Sequence, residues 1–399
     1  MVMIQQVQKP SGPANPGALT NAALSTGQEP QTVGRAPSFR LMPHRRRNPE
    51  QIWRMDTYSA AMAFVRGEFD VEGDLIAAIA ARCAAPRNWR DGVYAALARF
   101  SPARLESWIQ TRARAAENIR YHYDCSNEFY EQFLDSRLVY SCAYFRQPEW
   151  SIDEAQLAKL DHICRKLDLQ PGEKFLDVGC GWGALVIHAA ERYGASATGC
   201  TLSRKQFTYA MERAQQSRAA TQITLLEADY RDVAGRYDKI ASVGMFEHVG
   251  RRRLGQYFQK IAELLSPGGL FMNHGIIRPQ HATDSAETLF LRKRVFPGGE
   301  LPYLSDVIRT AEAAGFEVLD VENWRPHYAL TCRAWVQRLQ QNQAACLRFV
   351  DPERYRTWLL YLAASAYSFE RGHTDVYQIL LTKRSSGLRK RLTRDYMYK

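Results

Sequence analysis

No uninterrupted apolar run in the chain approaches the ~18–20 residues that cross a bilayer as a helix, so any relation to a membrane is expected to be peripheral. The start, MVMIQQVQKP, has neither a basic n-region nor an apolar h-region, and no secretory signal is expected. Eight cysteines (Cys83, Cys125, Cys142, Cys164, Cys180, Cys200, Cys332 and Cys346) include no CxxC pair, which is neither a disulfide framework nor a zinc-ligand spacing. Free thiols in a cytoplasmic protein without a metal site is the expectation. Internal repeats, a G-K-[ST] phosphate cradle, a zinc-finger spacing and an RRM-type aromatic motif are all missing, which argues against a nucleic-acid partner.

What is present is a 399-residue chain that is 46% hydrophobic, enough for a sizeable core and for more than one domain. Its formal charge of +11 is concentrated at the ends. Residues 1–50 hold six basic and two acidic groups, residues 382–399 seven and one, and the body between them is nearly neutral. Basicity is thus a property of tails, placed to draw the body onto an anionic surface.

Residues 1–50, rich in Pro, Gly, Gln, Ser and Thr, read as a disordered basic arm. Residues 51–101 read as a small, mainly helical N-terminal domain, with Phe69–Asp74 a short strand or turn. Residues 102–168 form an aromatic, helical lid over the next domain, with an amphipathic helix over 153–167. From 169 to 384 short apolar strands alternate with helices, the strands beginning near Lys174, Ser196, Ile223, Lys239, Leu270, Phe316 and Asp375. A helical insertion over 330–371 precedes the last strand, and 385–399 is a basic tail. This grammar predicts a doubly wound, mostly parallel α/β sheet, with ligands bound beyond the carboxyl ends of the strands.

Leu176-Asp177-Val178-Gly179-Cys180-Gly181-Trp182-Gly183 places a G-x-G-x-G turn between a strand and a helix. Its third glycine comes one residue early for a dinucleotide fingerprint. Asp177, two residues before Gly179, suits the cationic methionine end of S-adenosylmethionine (SAM) better than a pyrophosphate. The next strand ends Thr201-Leu202-Ser203-Arg204-Lys205-Gln206, without the carboxylate that usually holds ribose hydroxyls, so Thr201 and Gln206 are left to make those bonds.

Several motifs occur together in order: Asn118-Ile119 with His122-Tyr123-Asp124, Asn127 with Phe129-Tyr130, and Tyr140-Ser141-Cys142-Ala143-Tyr144-Phe145. The glycine loop, Thr201-x-Ser203-x-x-Gln206, Gly244-Met245-Phe246-Glu247-His248-Val249-Gly250 and Tyr328…Thr331…Trp335 follow. Across about 115–384 the chain resembles the cyclopropane-fatty-acyl-phospholipid synthases, which include the mycolic acid cyclopropane synthases. The resemblance implies a seven-stranded, Rossmann-like class I SAM-dependent methyltransferase that bridges a cis double bond of an unsaturated phospholipid. It acts from the cytoplasm at the inner face of the membrane, and a homodimer is compatible with it.

By resemblance, Tyr140, Ser141, Asp177, Gly179, Gly181, Gly183, Thr201 and Gln206 contact SAM, and Asp229 and Tyr230 lie near adenine. Cys142, Glu247, His274, Ile276 and Tyr328 hold a bicarbonate that serves as base, Cys142 and Ile276 through backbone N–H groups. Such a base takes a proton from a carbocation-like intermediate as the ring closes. His122 and His248 are read as supporting residues. A late helix carries Ser365 where the family commonly has a cysteine proposed as catalytic, so either that thiol is dispensable or the chain runs a related reaction. Methyl branching of an acyl chain and N-methylation of a soluble amine are the alternatives; a non-enzymatic basic binding protein fits the Glu247, His274 and Tyr328 set least.

Overall fold

The computed structural model describes residues 39–44, 48–86, 88–99, 125–296, 300–387 and 391–398. The arm up to residue 38, the motif residues Asn118, Ile119, His122, Tyr123 and Asp124, and the basic residues Arg389 and Lys390 lie outside them.

Alternating half-buried and exposed side chains make Phe39–Pro43 a strand (β1), although it falls in the stretch expected to be an arm. It pairs antiparallel with β2 (Phe69–Gly73), Leu41 opposite Val71. Four helices complete this N-terminal part: α1 (Pro49–Trp53), α2 (Thr57–Val65), α3 (Leu75–Ala84) and α4 (Trp89–Arg99). Asn48, Asp56 and Asp74 cap the first three through their side chains. Phe64 and Phe69 pack in one cluster with Trp335 and Trp358 of the later helices, so this part shares its core with the insertion. Arg356 fastens the two, donating to the carbonyls of Phe64 and Phe69 at 2.5 Å each and pairing with Asp70.

The main sheet has seven strands: β3 (Lys174–Val178), β4 (Ser196–Thr201), β5 (Ile223–Glu227), β6 (Tyr237–Val243), β7 (Leu265–Ile277), β8 (Phe316–Asn323) and β9 (Asp375–Lys383). Their order is β5-β4-β3-β6-β7-β9-β8, parallel from β5 to β7, with β9 antiparallel to both neighbours. This is the doubly wound, mostly parallel sheet read from the sequence. Its switch point lies between β3 and β6, where the chain turns back across the sheet. Two apolar clusters sit on its faces, one around Phe258 and Phe271, the other around Phe175 and Val186.

Among the helices that position the site, α5 (Asn127–Glu131) and α6 (Ile152–Lys166) precede the sheet. α6 begins with a Ser151–Glu154 capping box and ends with Arg165 and Lys166, both favourable to its dipole. After β3 comes α7 (Ala184–Tyr193), bounded by the left-handed glycines Gly183 and Gly194, and after β4 comes α8 (Arg204–Gln216). α9 (Leu254–Leu264) leads into β7; α10 (Ala286–Arg294) and α11 (Leu304–Ala313) follow it. The insertion starts five residues earlier than expected, as α12 (Arg325–Gln341), then α13 (Gln343–Cys346) and α14 (Pro352–Arg371). No described helix is long and apolar enough to cross a membrane.

Part of the basic tail packs against the body. Residues 395–398 form α15, with Met397 completely buried. Arg391 makes a bidentate pair with Asp168 at 2.6 and 2.7 Å, and Arg394 meets Asp320 at 2.7 Å. These two acidic groups, brought together by the fold, hold the tail against α6 and β8. Met397→Ala is expected to lower unfolding stability by about 2–5 kcal/mol, measured by denaturant titration, because the tail is packed instead of solvated.

Candidate active site

Gly179, Gly181 and Gly183 all take positive φ (84°, 53° and 82°), which lets the chain turn sharply from β3 into α7. A Cβ on Gly179 would stand 2.8 Å from Met245 Cγ. The Gly179 and Cys180 amides donate to the Cys200 carbonyl at 3.0 and 2.9 Å, tying this loop to the end of β4. A cavity opens there, lined by Tyr140, Ser141, Asp177, Gly179, Gly181, Thr201, Gln206, Asp229 and Tyr230. These are all the residues expected around a cofactor except Gly183, which instead caps α7.

Each wall of the cavity is fixed by local bonds. Thr201 Oγ1 donates to Gln206 Oε1 at 2.9 Å. Asp229 accepts from the Arg231 side chain at 2.7 and 2.5 Å and from its amide at 2.9 Å. Trp182 donates to Asn127 Oδ1 at 2.9 Å and packs its ring 5.0 Å from Tyr130. Asp177 is buried, and Oδ1 finds no hydrogen-bond partner among the described residues. Burial pushes its carboxyl up to about 7, against the pull of Lys159.

A second group lies beyond the ends of β6 and β7. Gly244 turns the chain after β6, its amide donating to the His274 carbonyl at 2.9 Å. Glu247 lies in the turn Phe246–His248, after the strand. Glu247 Oε1 accepts from the Ile276 amide at 2.7 Å, while Oε2 is buried without a partner among the described residues. Burial raises this carboxyl to about 7, with the Ile276 bond opposing. The Ile276 N–H, expected to face an anion, is thus spent on Glu247.

His274, in β7 beside Val243, is 1% exposed, and neither ring nitrogen has a hydrogen-bond partner among the described residues. Burial holds its pKa well below the ordinary value, so the imidazole is neutral. The Trp324 ring meets it edge to face at 5.2 Å. Tyr328, on α12, stacks on Phe369 at 4.4 Å; burial first, then Cys332, Tyr361, Cys142 and Glu247, raises its phenol well above its usual value. It stays a neutral donor. Cys142 is buried, its thiol aimed at the carbonyls of Ala143 (3.3 Å) and Trp324 (3.8 Å), and burial drives its pKa far up, so it offers no thiolate. The segment that carries Tyr140–Phe145 is pinned to α12 by Ala143 N donating to Thr331 Oγ1 at 3.0 Å. The Ser365 hydroxyl donates to the Tyr361 carbonyl one turn back at 2.8 Å.

The model of a known family, mycolic acid cyclopropane synthetase, matches residues 110–379 of this sequence. The chain belongs to that family. Within the family, the chain is 41% identical over 326 residues to a probable fatty acid methyltransferase of Pseudomonas putida, covering 80% of this chain and 81% of the relative. It is 35% identical over 277 residues to cyclopropane mycolic acid synthase 1 of Mycobacterium tuberculosis, covering 67% of this chain and 96% of the synthase. The fold is similar to a solved structure of mycolic acid cyclopropane synthase CmaA1 complexed with SAH and CTAB. That match has a TM-score of 0.64 at 35% identity, over 67% of this chain and 98% of the other.

His248 and Lys159 are among the wall residues of the cavity left out of the expected cofactor set. His248, read as a supporting residue, lines it with its ring pKa lowered to about 4 by burial. Lys159 also lines it, on the buried face of α6. The signal was present in the helix pattern: Gln156, Lys159, His162 and Lys166 are polar residues spaced by three or four on a face otherwise apolar.

Proposed function

We propose that the chain uses SAM to convert a cis double bond in an unsaturated acyl chain of a membrane phospholipid to a cyclopropane. The observation that carries this reading is Glu247 Oε2, a buried carboxylate oxygen with no hydrogen-bond partner among the described residues, whose charge acts on the Tyr328 phenol. The cavity fits SAM: the unpartnered Asp177 oxygen suits its ammonium, and the close Gly179–Met245 approach leaves room only for backbone at the turn. Asp177, Ser141, Tyr140, Thr201 and Gln206 would hold it, with Asp229 and Tyr230 toward adenine. When bound, SAM supplies an electrophilic methyl on a sulfonium.

Bicarbonate fits the second group in part. Glu247 Oε2 and the His274 nitrogens offer unpaired polar atoms and Tyr328 a neutral donor, whereas the Ile276 amide is already engaged. Bound there, it would supply the base for the ring-closing proton loss. The chain's own residues do the rest. His274 and Tyr328 donate hydrogen bonds, Glu247 accepts one, and the rings of Tyr140, Trp335, Trp358 and Phe369 shield positive charge and keep water away.

For the lipid surface, α4 leaves Trp89, Val93 and Leu97 exposed in one stripe at spacing four, beside exposed Arg90 and Arg99. An apolar stripe with positive flanks suits an anionic phospholipid interface. A methyl-branched product is the second reading, supported by Ser365 in place of the family's usual cysteine and by the Pseudomonas putida relative's description as a fatty acid methyltransferase. Methyl-labelled SAM incubated with liposomes of mono-unsaturated phospholipid, followed by mass spectrometry of the acyl chains, decides. Gain of one methylene with loss of the double bond supports the cyclopropane; retained unsaturation or a saturated branch supports the second reading; absence of label from lipid removes both.

A further inference from the structure

Lys159 is 2% exposed, yet it lines the same cavity as Asp177. Its ammonium donates to Ser141 Oγ at 3.0 Å, the one hydrogen bond from it among the described residues. No ion pair within 4 Å joins it to Asp177 or to Asp135 among the described residues, though both carboxylates act on it through space. Burial lowers its pKa to about 8, as burial raises that of Asp177 to about 7. The protein thus keeps a cation and an anion of its own buried on one cavity wall, separate from each other, each desolvated without full compensation. That arrangement is costly unless something charged arrives between them.

The surrounding bonds hold Lys159 and Ser141 in this relation. Gln156, one turn before Lys159 on α6, donates to the carbonyls of Val139 and Ser141 at 3.1 and 2.9 Å. Asp135 accepts from the amides of Arg137 and Val139 at 3.0 and 2.8 Å. The loop bearing Ser141 is therefore clamped over α6, and the Ser141 hydroxyl, with its oxygen accepting from Lys159, keeps its own proton to donate into the cavity.

We infer that Lys159 is a positioning residue for the carboxylate of an amino-acid zwitterion: through Ser141 it holds that carboxylate while Asp177 takes the ammonium. This rests on the reading of the cavity as a SAM site, whose methionine end carries both charges. Lys159 supplies the long-range attraction and orients the Ser141 hydroxyl as a charge-assisted donor. It discriminates the complete cofactor from nucleosides that lack the amino-acid end.

Calorimetric titration with S-adenosylhomocysteine and, separately, with 5′-methylthioadenosine tests this on the full chain without any turnover. The second probe keeps the nucleoside and sulfur and lacks the zwitterion. Lys159→Gln is expected to weaken S-adenosylhomocysteine binding about 10- to 100-fold while 5′-methylthioadenosine affinity stays within about twofold. Ser141→Ala, which leaves the lysine in place, is expected to show the same selective loss to a smaller degree, and it carries the test if Lys159→Gln does not fold. Equal weakening of both probes makes Lys159 a purely structural residue and overturns the inference. Unchanged S-adenosylhomocysteine binding in both variants overturns it as well. If the unaltered chain binds neither probe, the SAM reading itself fails and takes this inference with it.

Discussion

Glu247→Gln is expected to abolish most of the turnover, by about 10²- to 10⁴-fold, the range for a positioned acid–base group, and to leave S-adenosylhomocysteine affinity unchanged. The variant is nearly isosteric, and its amide oxygen can still accept the 2.7 Å bond from the Ile276 amide, so the turn over 246–248 keeps its shape. What disappears is the charge at Oε2, the oxygen without a partner among the described residues. The same substitution is expected to stabilise the fold. Burial raises the folded-state pKa from 4.5 to about 7, so ionising Glu247 opposes folding increasingly as pH rises from 4.5 to about 7 and by a constant amount above that. A shift of that size corresponds to up to about 3 kcal/mol at pH 8. Glu247→Gln should therefore unfold at higher denaturant than the parent at pH 8, with the difference vanishing near pH 4. Loss of activity with gain of stability distinguishes a functional charge from a structural one.

Gly275→Ala is the second large effect. A Cβ there would lie 1.9 Å from Phe246 Cε1, 2.5 Å from Cδ1 and 2.9 Å from Glu247 Oε1. Phe246 is 1% exposed, so its ring has nowhere to retreat without moving the turn that carries Glu247. Overpacking of this kind costs about 1–3 kcal/mol, and the larger consequence is displacement of the Glu247 carboxylate from the Ile276 amide. Turnover is expected to fall by at least about 10²-fold, since small misplacements of a reacting group carry costs of that order. Gly268→Ala serves as a control in the same strand: nothing lies within 4 Å of its Cβ, and although its φ of 77° makes the change locally strained, it stands away from Glu247. Its stability should drop with turnover preserved in the folded fraction.

The parts of the fold that were legible are those written in local chemistry. α7 begins and ends at the two glycines that bracket its apolar repeat, and α8 runs from its Ser203 cap to Gln216. The seven strands were recognisable as short apolar runs between helices, and the glycine loop announced where the cavity opens. What was not legible depends on partners distant in sequence. β1 looked like part of a polar arm because five residues of alternating burial acquire meaning only when Leu41 meets Val71. The insertion of β9 between β7 and β8 is a matter of pairing, which periodicity does not encode. Arg391 and Arg394 read as charges for an anionic surface because Asp168 and Asp320 face them only in the folded chain. Glu247, His274 and Tyr328 were found by motif, yet the motif gave no hint that the Ile276 amide is already taken by Glu247. Lys159 was overlooked because a lysine on an amphipathic helix is ordinarily solvent-facing, and only the packing of α6 under the 135–142 loop buries it.

On the cyclopropane reading the ionised Glu247 carboxylate supports acyl-chain modification by accepting a hydrogen bond from the base that takes the ring-closing proton. The single-turnover rate of methyl-label transfer from SAM to mono-unsaturated phospholipid, measured from pH 5.5 to about pH 9 in the parent and in Glu247→Gln, tests it most directly. A parent rate that climbs with pH to a plateau with its midpoint near the Glu247 pKa of about 7, and a residual variant rate without that step, is the expected result. The same midpoint in both proteins, or a variant as fast as the parent at pH 8, would contradict the account.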